Sequence, residues 1–201
     1  MVRLTLHGKI KEKQVNIFYL DTNPRNSAHY HCDSHIRKML IEYAKILSVG
    51  HWTSKHPDDI DRAIEFKLYK PMNITNPLVK WCNSSALTYT YLFTMWEELQ
   101  IIYEKKYGKL HVSNKLYDVL LCMPHQILNK KLYGKYSFEH DMIPPPMSFG
   151  REWSALKKGV NPLDRVEVVG AYRNYYRTAK NKIAKWGKGR KLPHWWLKLV
   201  S

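Results

Sequence analysis

Four side chains in the first long helical stretch have the types and spacing of a reactive group. His31, His35, Lys38 and Glu42 recur at intervals of four, three and four residues. At 100° per residue they share one narrow arc of an α-helix, beside the apolar stripe of Ile36, Leu40, Tyr43 and Leu47. An imidazole, an ammonium and a carboxylate at the border of a core are partly desolvated, which shifts their pKa values and suits acid–base or electrostatic work. The same spacing also describes an ordinary i,i+4 surface pair of Lys38 with Glu42. A metal reading of His29, His31, Cys32, Asp33 and His35 would need a second ligand pair with recognisable spacing. None is evident, although His51 and His56 stand downstream as distant candidates, so no metal and no other cofactor is expected.

The elements that would hold these groups are helical. Residues 16–21 read as a short buried extended segment, and Thr22-Asn23-Pro24 as a turn that caps the next helix. Helical periodicity runs from Arg25 to Val49, with room for a break near Cys32-Asp33 and Gly50 as the stop. A short helix is expected around 58–68, a long aromatic one from Leu78 to Tyr107 ending at Gly108, and a shorter one from Asn114 to Cys122. Residues 126–162, with Pro144-Pro145-Pro146, read as an irregular excursion or lid, and Asp164 precedes a last helix. The expected fold is all-α: a basic leader over 1–15, one helical domain over 16–178 and a basic aromatic tail over 179–201.

Composition narrows the partners. A chain of 201 residues with 44% hydrophobic and 25% charged residues has an ordinary globular balance. No run approaches the length of a membrane span or a signal peptide, and three cysteines without metal-finger or redox spacing argue for a reducing compartment. Lys and Arg number 33 against 17 Asp and Glu, a formal charge of +16, and no acidic residue follows Glu167. Beyond that point Arg173, Arg177, Lys180, Lys182, Lys185, Lys188, Arg190 and Lys191 alternate with aromatics that include Trp195 and Trp196. Cations for phosphates and rings for bases point to nucleic acid. An anionic membrane surface is the competing reading of the same mixture.

Several stretches resemble a phage protein family: Asn16-Ile17-Phe18-Tyr19-Leu20-Asp21, Asn23-Pro24, Cys32-Asp33-Ser34-His35-Ile36-Arg37-Lys38-Met39, Glu42, Ile46-Leu47, Asn76-Pro77 with Trp81, Tyr172-Arg173-Asn174-Tyr175-Tyr176 and Pro193-His194-Trp195-Trp196. More distantly, His35 followed seven residues on by Glu42 resembles the pyrimidine-dimer DNA glycosylases of T-even phages. That resemblance implies Glu42 as the essential carboxylate, His35 as its partner, Arg37 and Lys38 as phosphate holders, DNA in preference to RNA, and the cytoplasm of an infected bacterial host cell. In those enzymes the N-terminal amine is the nucleophile, whereas here some fifteen residues precede the matching segment, so water held by Glu42 is the expected nucleophile. Two alternatives stand beside this reading: a non-enzymatic DNA- or RNA-binding protein, and an enzyme acting on a free nucleotide or modified base.

Overall fold

Asn23 starts the helical architecture. Its side-chain oxygen accepts from the amides of Arg25 and Asn26, and Pro24 fills the first helical position, where no amide hydrogen is needed. In this computed structural model, which describes residues 16–71, 73–128, 137–138, 140–187 and 189–197, α1 spans Pro24–Tyr30. The chain turns extended at His31 and Cys32 and resumes as α2, Asp33–Trp52. The break expected near Cys32-Asp33 is therefore present. The expected stop at Gly50 is not, because α2 continues to Trp52. Gly50 instead lets a neighbour approach: a Cβ there would run into the Asn83 side-chain oxygen and meet Pro124 Cγ at 3.0 Å.

α3 is Pro57–Glu65 and α4 is Pro77–Cys82, capped by Asn76. α5, Ala86–Tyr107, begins at a capping box in which Ser85 and Thr88 satisfy each other's amides. The single helix expected over 78–107 is thus two, split where the hydroxyls of Ser84, Ser85 and Thr88 compete for the backbone. Gly108 ends α5 as expected, in the left-handed region at φ 65°. A 3-10 turn over Val112–Leu116 leads into α6, Tyr117–Leu121, followed by α7, His125–Leu128, and, after a 3-10 turn over Arg151–Lys157, α8, Arg165–Ala179. Asp164 caps α8 by accepting from Val166 and Glu167. The fold is all-α, and no helix among the described residues is long and apolar enough to cross a membrane. The leader, 1–15, lies outside the described residues.

α2 and α5 run antiparallel at the centre. Lys106 meets Asp33, Trp96 Nε1 donates to Leu40 O, and His51 meets Tyr89, so the contacts rise along one helix as they fall along the other. Residues 17–20 are fully buried beside them, yet no strand among the described residues pairs with their backbone. Side chains satisfy it instead: Phe18 N donates to Tyr43 OH, Leu20 N to Ser27 Oγ, and Arg173 Nε to Leu20 O. Of the stretch expected as an irregular excursion or lid, the described residues 140–149 pack on the core, with Met142 and Phe149 buried and Ile143 O and Pro146 O accepting from Trp81 and Tyr172.

The stretch expected as a tail also lies against the domain. Lys185 O accepts from Asp33 N, Arg177 donates to Trp195 O, and Trp195 is 4% exposed between Tyr30 and Tyr176. Trp195→Ala should therefore lower unfolding free energy by about 3 kcal/mol, read from denaturant titration. A chain ending at Thr178 should unfold at clearly lower denaturant than the full chain. Equal stability would mean that residues 180–197 do not belong to the cooperative unit.

Candidate nucleic-acid interface

The N-terminus of α2 is organised by Asp33. Its carboxylate accepts from Lys106 Nζ at 2.6 Å, from Arg190 NH1 at 2.8 Å and from the amide of Gly187 at 2.8 Å. Burial alone would raise this carboxyl, but those three hydrogen bonds hold it below the usual carboxylate range. Gly187 is required by contact, since a Cβ would come within 2.8 Å of Asp33 Oδ2 and 2.9 Å of Lys106 Nζ. Arg190 also donates to the carbonyls of His29 and His31, at the turn between α1 and α2.

Beside this node opens a cleft of about 760 Å³. Its charged walls are Lys105, Lys106, Arg190 and Lys191 with the imidazoles of His29 and His194, and its apolar walls include Tyr30, Ile102 and Leu192. Among the described residues, none lining it is acidic. The nearby carboxylates are paired with lining residues, Glu98 with His29 as well as Arg25, and Asp33 with both Lys106 and Arg190. One carboxylate shared by two cations leaves positive charge facing the opening, and Lys105 and Lys191 add to it.

The expected catalytic group lies on another side of α2. Glu42 follows Asp33 by nine residues, which is a half-turn round the helix and about 13 Å along it. Glu42 accepts from the amide of Asn16 at 3.1 Å and pairs with Lys38 Nζ at 3.3 Å, its side chain 15% exposed. Lys38 and Arg37 are exposed. His35, by contrast, is 4% exposed, stacked on Phe18 at 4.4 Å, with Nδ1 2.7 Å from Tyr176 OH. Tyr176 OH also accepts from Cys32 N, so this one hydroxyl ties the start of α2 to α8. Burial, helped by the charges of His31, Lys180 and Lys38, lowers His35 to about 3. A neutral, enclosed ring is no general acid at physiological pH, and the contacts of His35, the expected partner of Glu42, are with Tyr176 and Phe18.

His31 repeats the device. Phe18 N donates to Tyr43 OH, Tyr43 OH meets His31 Nε2 at 2.8 Å, and His31 Nδ1 meets Ser27 O at 2.7 Å. Burial lowers this ring to about 4. With His29 on Glu98, Cys32 Sγ beside Ser34 Oγ and Asp33 on its cations, the ligand types clustered over 29–35 point to five different partners.

The remaining expected cations divide into two groups. Arg173 pairs with Asp21, lies over the rings of Tyr30 and Trp195 and is half-buried, and Arg177 secures Trp195 O, so both act in the fold. Trp195 is buried and does not offer its faces to a base, while Trp196 is half-buried against Trp186. Lys182, Lys185 and Lys191 are exposed, and Lys180 lies 5.2 Å over the Tyr175 ring. Lys188 lies outside the described residues. Lys105 and Lys106, absent from the sequence expectation, reach the cleft because the antiparallel pairing of α2 and α5 carries the end of α5 to the start of α2. Comparisons with protein-family models, with curated proteins and with solved structures found no match.

The buried imidazoles set a pH dependence. His31, His35 and His51 are lowered by burial from 6.5 to about 4, 3 and 4. Below pH 6.5 the unfolded chain binds protons that the folded chain refuses, so the contribution of these rings to stability must fall as pH falls from about 6.5 to about 3. The lowered carboxyls Asp33 and Asp59 contribute only near and below their ordinary value of 3.8. Denaturant midpoints should therefore be flat from pH 8 to 7 and drop steadily between 6.5 and 4.5. A flat profile across the lower range would show that these rings are not neutral and enclosed.

Proposed function

We propose that this protein binds nucleic acid, DNA in preference to RNA, with the cleft between α1, the end of α5 and residues 189–194 as its phosphate site. The observation that carries the reading is the gathering of Lys105, Lys106, Arg190 and Lys191 round one opening with no acidic residue among its described lining. Such a site neutralises phosphates and releases their counterions. The half-buried Tyr30 and the imidazoles of His29 and His194 supply faces against which a sugar or base can rest. We infer that a strand leaving the cleft follows residues 180–187, which cross the start of α2 where Asp33 N donates to Lys185 O and Ser34 Oγ to Ile183 O, and which carry the exposed Lys182 and Lys185.

Along that route we assign Glu42 the role of the carboxylate in hydrolysis of an N-glycosidic bond. The target nucleotide is first drawn from the stack. The C1′–N bond breaks with its electron pair going to the base, a water oxygen bonds to C1′, and Glu42 takes the proton of that water while its charge stabilises the cationic sugar. Lys38 at 3.3 Å and the Asn16 amide at 3.1 Å fix the carboxylate. Held against the Glu42 carboxylate, the Lys38 amine is a poor nucleophile. A binding protein without catalysis is the second reading, favoured by the half-turn that separates Glu42 from the cleft.

Affinity for a DNA duplex should fall steeply with salt, the logarithmic slope losing about one unit for each phosphate contact removed. Lys105→Ala with Lys191→Ala should flatten that slope by about two and weaken binding to all sequences alike, as read by fluorescence anisotropy. Unaltered binding would remove the cleft from the interface.

Catalysis is tested separately, by base release from DNA carrying modified or damaged bases. Glu42→Gln should abolish release and leave binding intact, while binding without release on any substrate would establish the second reading. A chain shortened to begin at Asn16 would present an α-amine where an amide nitrogen now lies 3.1 Å from Glu42 Oε2. Borohydride should then trap a protein–DNA adduct with that chain and none with the full one. Trapping by the full chain that disappears in Lys38→Ala would identify Lys38 as the nucleophile in place of water.

A further inference from the structure

At the far end of α2 from the basic cleft, the start of α3 meets the start of α7. His56 is the residue before Pro57 at the head of α3, Asp58 lies in the first turn, and His125 opens α7. One donor atom from each of His56, Asp58 and His125 lies within 4.8 Å of the other two. The two imidazoles stack at 3.7 Å between centroids and 11° between planes. His56 Nδ1 is enclosed, makes no hydrogen bond, and lies 3.8 Å from Asp58 Oδ2.

What sets this cluster apart from a chance meeting of side chains is Asp59. Its side chain is 0% exposed. It accepts the backbone amide of His125 at 2.9 Å through Oδ2 and meets His125 Nδ1 at 3.0 Å through Oδ1. Burial would raise this carboxyl, but the bonds from Ser54 and from His125 hold it below its ordinary range, and it stays a carboxylate. With Nδ1 of His125 held by Asp59, Nε2 is the nitrogen of this ring left to bind an ion. A buried carboxylate that fixes the tautomer and orientation of a histidine is the outer-shell arrangement found behind histidine ligands of metals.

We propose that His56, Asp58 and His125 bind a divalent transition-metal ion of the zinc type, with Asp59 as the residue that orients His125. Two imidazole nitrogens and one carboxylate oxygen form a borderline donor set that suits zinc and its neighbours. Magnesium and calcium prefer oxygen alone. Nitrogen and oxygen bonds of about 2.0–2.2 Å in a tetrahedron put donors roughly 3.3 Å apart, so the three atoms must draw together. The stacked rings must also turn out of parallel for both lone pairs to converge. His56 and Asp58 are free to do this, their side chains being 42% and 59% exposed. The same exposure leaves the remaining position to water or to a ligand from solution. The ion would bind the head of α3 to the head of α7, two short helices far apart along the chain.

The test is titration of the metal-free full chain with Co²⁺ and Zn²⁺. The expected result is one equivalent of Co²⁺ with visible d–d absorption of nitrogen and oxygen ligation, displaced by Zn²⁺, with a higher melting temperature in the loaded protein. His56→Gln and Asp58→Ala, both at exposed positions where the fold should survive, should each weaken binding at least tenfold. Asp59→Asn, with helicity checked by circular dichroism, should weaken it about 10–100-fold although it touches no metal. Three results would each overturn the proposal: undiminished affinity in His56→Gln or Asp58→Ala, a thiolate charge-transfer band implicating the exposed Cys122, or binding no tighter than millimolar. Nucleic-acid binding through the cleft is independent of the outcome.

Discussion

A carboxylate at the head of a helix is favoured by the partial positive charge of the unpaired amides there. In this protein that elementary preference, at Asp33, becomes the point on which three separate parts of the chain converge. Lys106 comes from the end of α5, Arg190 and the Gly187 amide from the C-terminal stretch, and the amide of Asp33 itself is spent on Lys185 O. Removing the carboxylate would leave two cations facing each other across a partly enclosed space. The α2–α5 register, the path of residues 180–197 and the shape of the basic cleft all depend on that one charge.

Much of the helical architecture is legible in the sequence because its causes are local. The apolar stripe of α2, the interruption at Cys32-Asp33, the Gly108 stop and the Asp164 cap are set by neighbours within a turn or two. The misses have non-local causes. Gly50 carries the composition of a helix stop, yet it is needed for close approach to Asn83 and Pro124, which reach it through the tertiary fold. Ser84 and Ser85 divide α4 from α5 inside a stretch whose apolar periodicity continues unbroken. The C-terminal stretch reads as a free tail by charge alone, since nothing local reveals that Trp195 has a socket between Tyr30 and Tyr176.

The candidate site shows the same division. Helical spacing placed His31, His35, Lys38 and Glu42 on one arc, but the extended break at His31 and Cys32 leaves His31 outside the helix, and only His35, Lys38 and Glu42 share α2. Spacing does not report what stands opposite, and two of the four face tyrosines that relay a backbone amide to a buried ring. Each of these histidines pairs a ring nitrogen with a tyrosine hydroxyl, and Phe18 meets the ring of His31 edge-on and that of His35 face to face. An aliphatic residue could fill the volume but would strand the hydroxyl. Lys105 and Lys106 belong to the cleft only through the pairing of two helices, and His56 and His125 meet only through the packing of two short ones. No window along the chain contains either pair with its partners.

The extended segment over 17–20 has a consequence for how the molecule comes into being. Its backbone is satisfied by side chains, and one of these, Arg173, lies 153 residues downstream. The same long reach links Cys32 to Tyr176, 144 residues apart. During synthesis, α2 and α5 can coil and meet early, because their contacts are separated by a single excursion of chain. The extended segment, made before either of them, must nevertheless wait for α8 before the Leu20 carbonyl is covered. Loop closure over such distances is slow relative to local helix formation, so a nascent or C-terminally interrupted chain exposes an apolar, β-prone stretch, Ile17-Phe18-Tyr19-Leu20, with its backbone unsatisfied. That stretch is where premature association between chains would begin.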